Sequence, residues 1–221
     1  MLFDILSGRY TGIQILAGVF ASVFVVFCIL PIHEYAHALV ATKLGDQTPR
    51  LQGRLSLNPM HHLDPIGALM IILLGFGYAK PVAVNARNFK NPKVGMALTA
   101  LAGPCANLLM ALIFLLLKNI VMAISTTNVL AIALLYFFVF AASINVGLAV
   151  FNLLPIPPLD GSRILQLIIP QKYYFKFMQY ERYIILVVFA LLFFNVLNKP
   201  LSWLQSVVYN ALDFIVSYPF R

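Results

Sequence analysis

The stretch IQILAGVFASVFVVFCILPI, residues 13–32, followed at once by His33-Glu34-Tyr35-Ala36-His37, decides how this chain folds. No charge interrupts the run, and a straight helix needs about 20 such residues to cross a bilayer. A membrane helix therefore ends in a histidine pair. On a helix, residues four apart share a face one turn apart, so both imidazoles can reach one metal ion while Glu34 projects beside them. In a zinc site of this kind the two His nitrogens bind the metal and the Glu takes a proton from water. The alternative, a polar helix end at the membrane interface, leaves costly His and Glu side chains at membrane depth with no function to retain them.

The composition agrees. Of the 221 residues, 62% are hydrophobic and 10% charged, and the mean hydropathy is +0.91. These values exclude a soluble globular or disordered chain and indicate one integral membrane domain over residues 1–221. The formal charge of +8 does not point to nucleic acid, because Lys and Arg lie in loops between apolar segments rather than in one patch. Cys28 and Cys105 both fall within apolar segments, so no structural disulfide is expected. The first apolar stretch reads as a retained span, since cleaving it as a signal peptide would remove the histidine pair.

Apolar segments run approximately over 13–32, 66–79, 94–117, 128–154, 183–197 and 201–217. The first, third and fourth are long enough to cross, whereas 66–79 is too short. Asn195, Asn198 and Pro200 mark a tight connection between the last two, which predicts a C-terminal helical hairpin. If every segment crossed, the C-terminal ends of the first and fourth would face opposite sides. If 66–79 turns back instead, those ends meet at one face. The charges favour the second arrangement. It gathers Lys43, Arg50, Arg54, Lys80, Arg87, Lys90, Lys93, Arg163, Lys172, Lys176, Arg182 and Arg221 on one side, leaving Arg9, Lys118 and Lys199 on the other. The sequence thus predicts an all-α polytopic membrane protein with about five transmembrane helices and a short re-entrant segment. Its N-terminus lies outside and its site near the cytoplasmic face of the cell membrane. A small β-sheet is also expected around the re-entrant segment. Leu51, Gly53, Leu55 and Leu57 alternate with polar neighbours, and Val82 and Val84 do so after Pro81. The edge of such a sheet could hold an extended peptide by strand addition.

A catalytic zinc usually takes three protein ligands and keeps one position open. No Glu occurs between Glu34 and Glu181, and position 43 is Lys, so the ligand sets of soluble enzymes with this His pair are absent. The third ligand must come from Asp160, Asp64, Asp46, His61 or His62. Asp160 follows Asn152-Leu153-Leu154-Pro155-Ile156-Pro157-Pro158-Leu159, where three prolines end the helix and force extended backbone. Such backbone is tolerated at membrane depth only where it is buried in protein or lines a cavity. Alone, Asp160 could be a helix cap in an Asp-Gly turn; beside a histidine pair lacking a third ligand, it reads as that ligand. His61, His62 and Asp64 lie between Pro59 and Pro65 and read as turn residues. Gly103, Pro104 and Asn107 read as allowing close helix packing. Gln171 to Arg182 mixes Tyr and Phe with Lys and Arg, the composition of an interfacial anchor.

With these motifs in place the chain resembles the site-2 protease family of intramembrane zinc metalloproteases, peptidase family M50, in its short form without a PDZ or CBS domain. The resemblance rests on His33-Glu34-x-x-His37, on Gly103-Pro104-x-x-Asn107, and on Asn152-x-x-Pro155 followed by Leu159-Asp160-Gly161. It implies that His33, His37 and Asp160 bind one zinc ion per chain, that Glu34 is the catalytic base, and that Asn152 lies near the scissile carbonyl. The expected core runs over about 13–165, with 166–221 forming the interfacial segment and C-terminal hairpin. Single-span membrane proteins are the expected substrates, and a substrate helix must unwind before its carbonyls are free. The lipid bilayer is the expected surroundings, nucleic acid is not an expected partner, and nothing in the sequence names a regulator. A divalent-cation transporter would more typically show internal repeats and paired half-sites, which are not found. A catalytically silent scaffold would be expected to have lost Glu34 or a ligand, and all are present.

Overall fold

The computed structural model describes residues 10–74, 80–124, 128–194 and 196–220. Helix α1, Gly12–Lys43, carries the long apolar run and the histidine pair on one continuous rod. It starts at Thr11, whose N–H donates to the Gln14 side chain at 2.8 Å. A five-residue π-turn, Val25–Ile29, interrupts its regular winding, and the Leu30 N–H reaches back to the Val25 carbonyl. Pro31 follows directly; it has no N–H to give and its ring crowds the carbonyl four residues back, a contact that a wider turn relieves.

Short helices α2, Thr48–Leu51, and α3, Pro65–Leu74, lead to α4, Pro92–Ile124, and α5, Val129–Asn152. A five-residue helix α6, Asp160–Ile164, follows the proline-rich break, and α7, Gln171–Gln179, α8, Glu181–Phe193, and α9, Asn198–Ser217, complete the described chain. Helices α1, α4 and α5 form the central bundle. Ala21, Val25, Val26, Ile29 and Leu30 of α1 meet Phe114 and Leu115 of α4 and Ala141, Ala142 and Leu148 of α5. The alanines let the backbones approach closely, which matters in lipid because burial of apolar surface does not itself drive helices together. Phe24, Phe114, Phe137 and Phe138 fill the space that remains with edge-on and stacked ring contacts. Helix α9 lies against α4 and α5, its Val208 and Leu212 packing on Ala111, Val146 and Val150. The Lys118 ammonium of α4 and the Asp213 carboxylate of α9 pair at 2.6 Å.

Two expectations are corrected. Among the described residues three helices, α1, α4 and α5, are long and apolar enough to cross a membrane, not five. Helix α8 has 13 residues and so reaches about 20 Å, well short of a bilayer core ~30 Å thick. Helix α9 has 20 residues but carries Ser202, Gln205, Ser206, Asn210 and Asp213 along its length. The small β-sheet is the second correction, for no strand occurs among the described residues. Residues 48–51 wind into α2 instead, and Gly53 turns the chain at φ 68°. The backbone groups that a ladder would pair are taken by side chains. The His62 ring bonds the Ser56 carbonyl at 2.6 Å, the Arg54 guanidinium bonds the carbonyls of His61 and Lys80, and the Asn85 N–H donates to Asp46.

The path of 66–79 is described as far as Leu74; residues 75–79 lie outside the described residues. Residues flanking the segment meet, since the Lys80 N–H donates to the His62 carbonyl at 2.8 Å.

Candidate metal centre

The site is assembled from three elements. Helix α1 supplies His33, Glu34 and His37, all buried. Helix α4 passes across the histidines and α6 brings up Asp160. The Nε2 atoms of His33 and His37 stand 3.1 Å apart, and Asp160 Oδ2 is 3.4 Å from the first and 3.2 Å from the second. One donor atom from each residue lies within 4.8 Å of the other two. His37 Nδ1 donates to the Thr99 carbonyl at 2.7 Å, which fixes the proton on that nitrogen and leaves Nε2 as a lone pair.

These residues fit a zinc ion. Ligand atoms about 2.0–2.1 Å from a tetrahedral ion stand roughly 3.3 Å from each other, close to the three separations seen here. Lone pairs and a carboxylate oxygen converging in a buried place repel one another unless a cation sits among them. The helix opposite is shaped to the same purpose. A Cβ added at Gly103 would overlap Nε2 of both His33 and His37, so only glycine leaves the donor atoms room.

Asp160 reaches the histidines because of the break before it. Helix α5 ends at Asn152, and the chain from Leu153 to Leu159 turns back over that end. A Cβ at Gly161 would run into the Leu153 and Leu154 carbonyl oxygens, so the loop packs directly on the α6 backbone. Asp160 is the first residue of α6 and Leu159 the cap, so the carboxylate does not cap the helix it begins. The other candidate ligands lie elsewhere in the hydrogen-bond network. Asp46 accepts from the N–H and hydroxyl of Thr48, from the Asn85 N–H and from the Asn88 amide, tying the end of α1 to the approach to α4. Asp64 accepts from the N–H groups of Ile66 and Gly67 at the start of α3. The rings of His61 and His62 bond the carbonyls of Gly53 and Ser56. Burial holds the His62 imidazole below its ordinary value, against the opposing pull of the Ser56 carbonyl.

The three donors open on a cavity of about 460 Å3. Its walls are mostly apolar, from Val82, Val84, Leu148, Phe151, Ile156 and the α8 residues Ile185, Val188 and Leu192. Glu34, Asn152 and Arg163 are its polar lining besides the histidines, Asp160 and Thr99. Asn152 donates to the Leu148 carbonyl at 3.0 Å, using one of the two N–H bonds of its amide. Three contributions escaped the sequence reading. The Thr99 carbonyl is a backbone group, which no residue type announces. The sequence marks Gly103 as a packing position, but not that it packs on the donor nitrogens themselves. Arg163 looked like one more loop cation, although its place three residues after Asp160 puts it on the same side of a helix.

The model of peptidase family M50 matches residues 116–195, which include Asn152 and Asp160. A Bacillus subtilis protein named "Putative zinc metalloprotease YwhC" is 43% identical over 173 residues, covering 77% of this chain and 78% of its own length. A Mycolicibacterium smegmatis protein named "Putative zinc metalloprotease Rip2" is 29% identical over 214 residues, covering 93% of this chain and 76% of its own length. A Methanocaldococcus jannaschii protein named "Putative zinc metalloprotease MJ0611" is 31% identical over 136 residues, or 61% of this chain and 63% of its own. No solved structure matches the chain. The histidine pair on a membrane helix, the carboxylate brought to it and these relatives lead to one assignment: the chain belongs to peptidase family M50, the site-2 protease family of metalloproteases.

Proposed function

We propose that this protein is an intramembrane zinc endopeptidase that hydrolyses peptide bonds in or near transmembrane segments of single-span membrane proteins. The observation that carries the reading is the convergence of His33 Nε2, His37 Nε2 and Asp160 Oδ2 beside Glu34, at one end of a membrane-spanning helix and open to a cavity of about 460 Å3. His33, His37 and Asp160 hold one zinc ion per chain. A zinc ion bound there supplies Lewis acidity, lowering the pKa of water toward ~7 and polarising a peptide carbonyl. Glu34 takes the proton of the attacking water and passes it to the leaving amine. The Thr99 carbonyl holds the His37 ring in one orientation throughout. Asn152 spends one amide N–H on Leu148 and keeps a second, which donates to the scissile carbonyl as negative charge develops on its oxygen. The apolar walls receive the side chains of an unwound membrane segment and keep bulk water from the bond.

The contact between His62 and Lys80 supports the reading that 66–79 leaves and returns on one side of the membrane, and the bias of Lys and Arg supports a site near the cytoplasmic face of a multi-pass protein. The test is Glu34→Gln in cells and in reconstituted vesicles. The variant should keep its zinc and lose proteolysis, and membrane spans that persist only with the variant identify the substrates. Undiminished cleavage by Glu34→Gln protein would overturn the mechanism.

A further inference from the structure

Arg163 stands apart from the rest of the cavity lining. It is half-buried in α6, three residues after Asp160, and among the described residues it is the one Lys or Arg that lines the cavity. A guanidinium stays charged at any working pH and offers five N–H donors in a planar fork. Among the described residues no carboxylate pairs with it: Asp160 faces the histidines, Asp213 pairs with Lys118, Asp46 and Asp64 serve loop N–H groups, and neither Glu34, which lines the same cavity, nor Glu181 forms an ion pair with it. A half-buried guanidinium on a mostly apolar cavity wall, with no carboxylate paired to it, is available to an incoming anion.

We infer that Arg163 is a specificity residue that binds a carboxylate of the substrate close to the cleaved bond. This rests on the protease reading above. Residues three apart on a helix have Cβ atoms about 5–6 Å apart, so the guanidinium can reach only one to three residues of an extended peptide whose carbonyl lies beside Asp160. With zinc bound, its two positive charges offset Asp160 and Glu34, so Arg163 leaves the cavity net positive. Two sources present the same chemistry: an Asp or Glu side chain flanking the cut, or the free α-carboxylate of a peptide shortened by an earlier cleavage. A bidentate Arg–carboxylate pair fixes the register of the peptide as well as its affinity.

The test uses the full-length protein in lipid nanodiscs and peptides derived from one cleaved sequence. One series exchanges Gln for Glu at each of the three positions on either side of the cut; the other compares a C-terminal acid with its amide. Wild type should favour a carboxylate at one position by about ten- to a hundredfold in kcat/KM, mainly through KM. Arg163→Gln should remove that preference while still cleaving the neutral peptides, and Arg163→Lys should retain part of it. Which series shows the effect tells the side-chain carboxylate from the terminal one. Binding of the same peptides to Glu34→Gln protein, followed by fluorescence anisotropy, reads the preference without turnover and should weaken with added salt. Equal binding of acidic and neutral peptides, or a preference that survives Arg163→Gln, overturns the inference while leaving the protease reading intact. Failure of wild type to cleave any peptide counts against the protease reading instead, and the binding comparison still decides the role of Arg163.

Discussion

Gly103 shows how closely one atom can be specified. A methyl group there would occupy the space of the His33 and His37 donor nitrogens, although alanine is otherwise the better helix former by roughly 1 kcal/mol. Gly103→Ala is therefore expected to leave α4 folded and to weaken zinc binding by ~10–100-fold, measured by competition with a chelator. Unchanged zinc affinity would mean that the histidines have room to move aside. Asp160→Ala should strip the metal, whereas Asp64→Ala and His61→Ala should keep it, as metal analysis of the purified variants will read. Asn152→Ala should retain zinc and lose activity by ~10²-fold or more, the scale of one oxyanion donor; near-normal turnover would confine Asn152 to bonding the end of α5. At this scale the sequence was informative where residue types are rare. A His pair at helical spacing and an Asp after three prolines announce themselves. A glycine among many small residues, and a backbone carbonyl, do not.

Among the elements, regular helices were the most legible and the connections the least. Alternation from Leu51 to Asn58 resembles a strand, yet the donors and acceptors of this region are met by Arg54, His62 and Asp46 rather than by a neighbouring strand. A count of apolar residues cannot foresee side chains that bond backbone. Helix α8 resembles a span in sequence because hydrophobicity outlasts its helical length, and α9 does so because apolar residues outnumber the polar ones that accompany them. Asp46 is the residue on which the connections depend. Burial pushes its carboxyl up, but the bonds from Thr48, Asn85 and Asn88 outweigh burial and hold it below the usual value. A carboxyl depressed in the folded state contributes stability that is present above the unfolded value near 4 and lost as pH falls through the folded one. Thermal unfolding in detergent should therefore show an acid-dependent loss below about pH 4 that Asp46→Asn diminishes. Asp46→Ala should destabilise the protein at neutral pH by about 1–2 kcal/mol, since it removes the shared acceptor of several part-buried donors.

For the whole molecule the decisive question is which ends share a side. Single Cys probes, introduced after replacing Cys28 and Cys105, answer it with an impermeant reagent in oriented vesicles. Positions Gln47, Lys90 and Lys172 should label from the cytoplasmic side and Asn128 from the other; labelling of Gln47 and Lys90 from opposite sides would make 66–79 a crossing. The bundle also depends on how α1 presents itself along its full length. Apart from Pro31, its buried positions, Ala17 and Gly18, Ala21 and Ser22, Val25 and Val26, Ile29 and Leu30, His33 and Glu34, His37 and Ala38, then Ala41, recur every four residues. A regular helix repeats every 3.6, so a four-residue rhythm slips around the rod by about 40° per repeat. The π-turn at Val25–Ile29 acts as a vernier, taking up part of the accumulated angle just before the histidines are reached. Removing one residue from that turn would leave the histidine motif untouched but return the turn to regular winding, so the angle it takes up would reappear between the bundle-facing residues before it and the imidazoles after it.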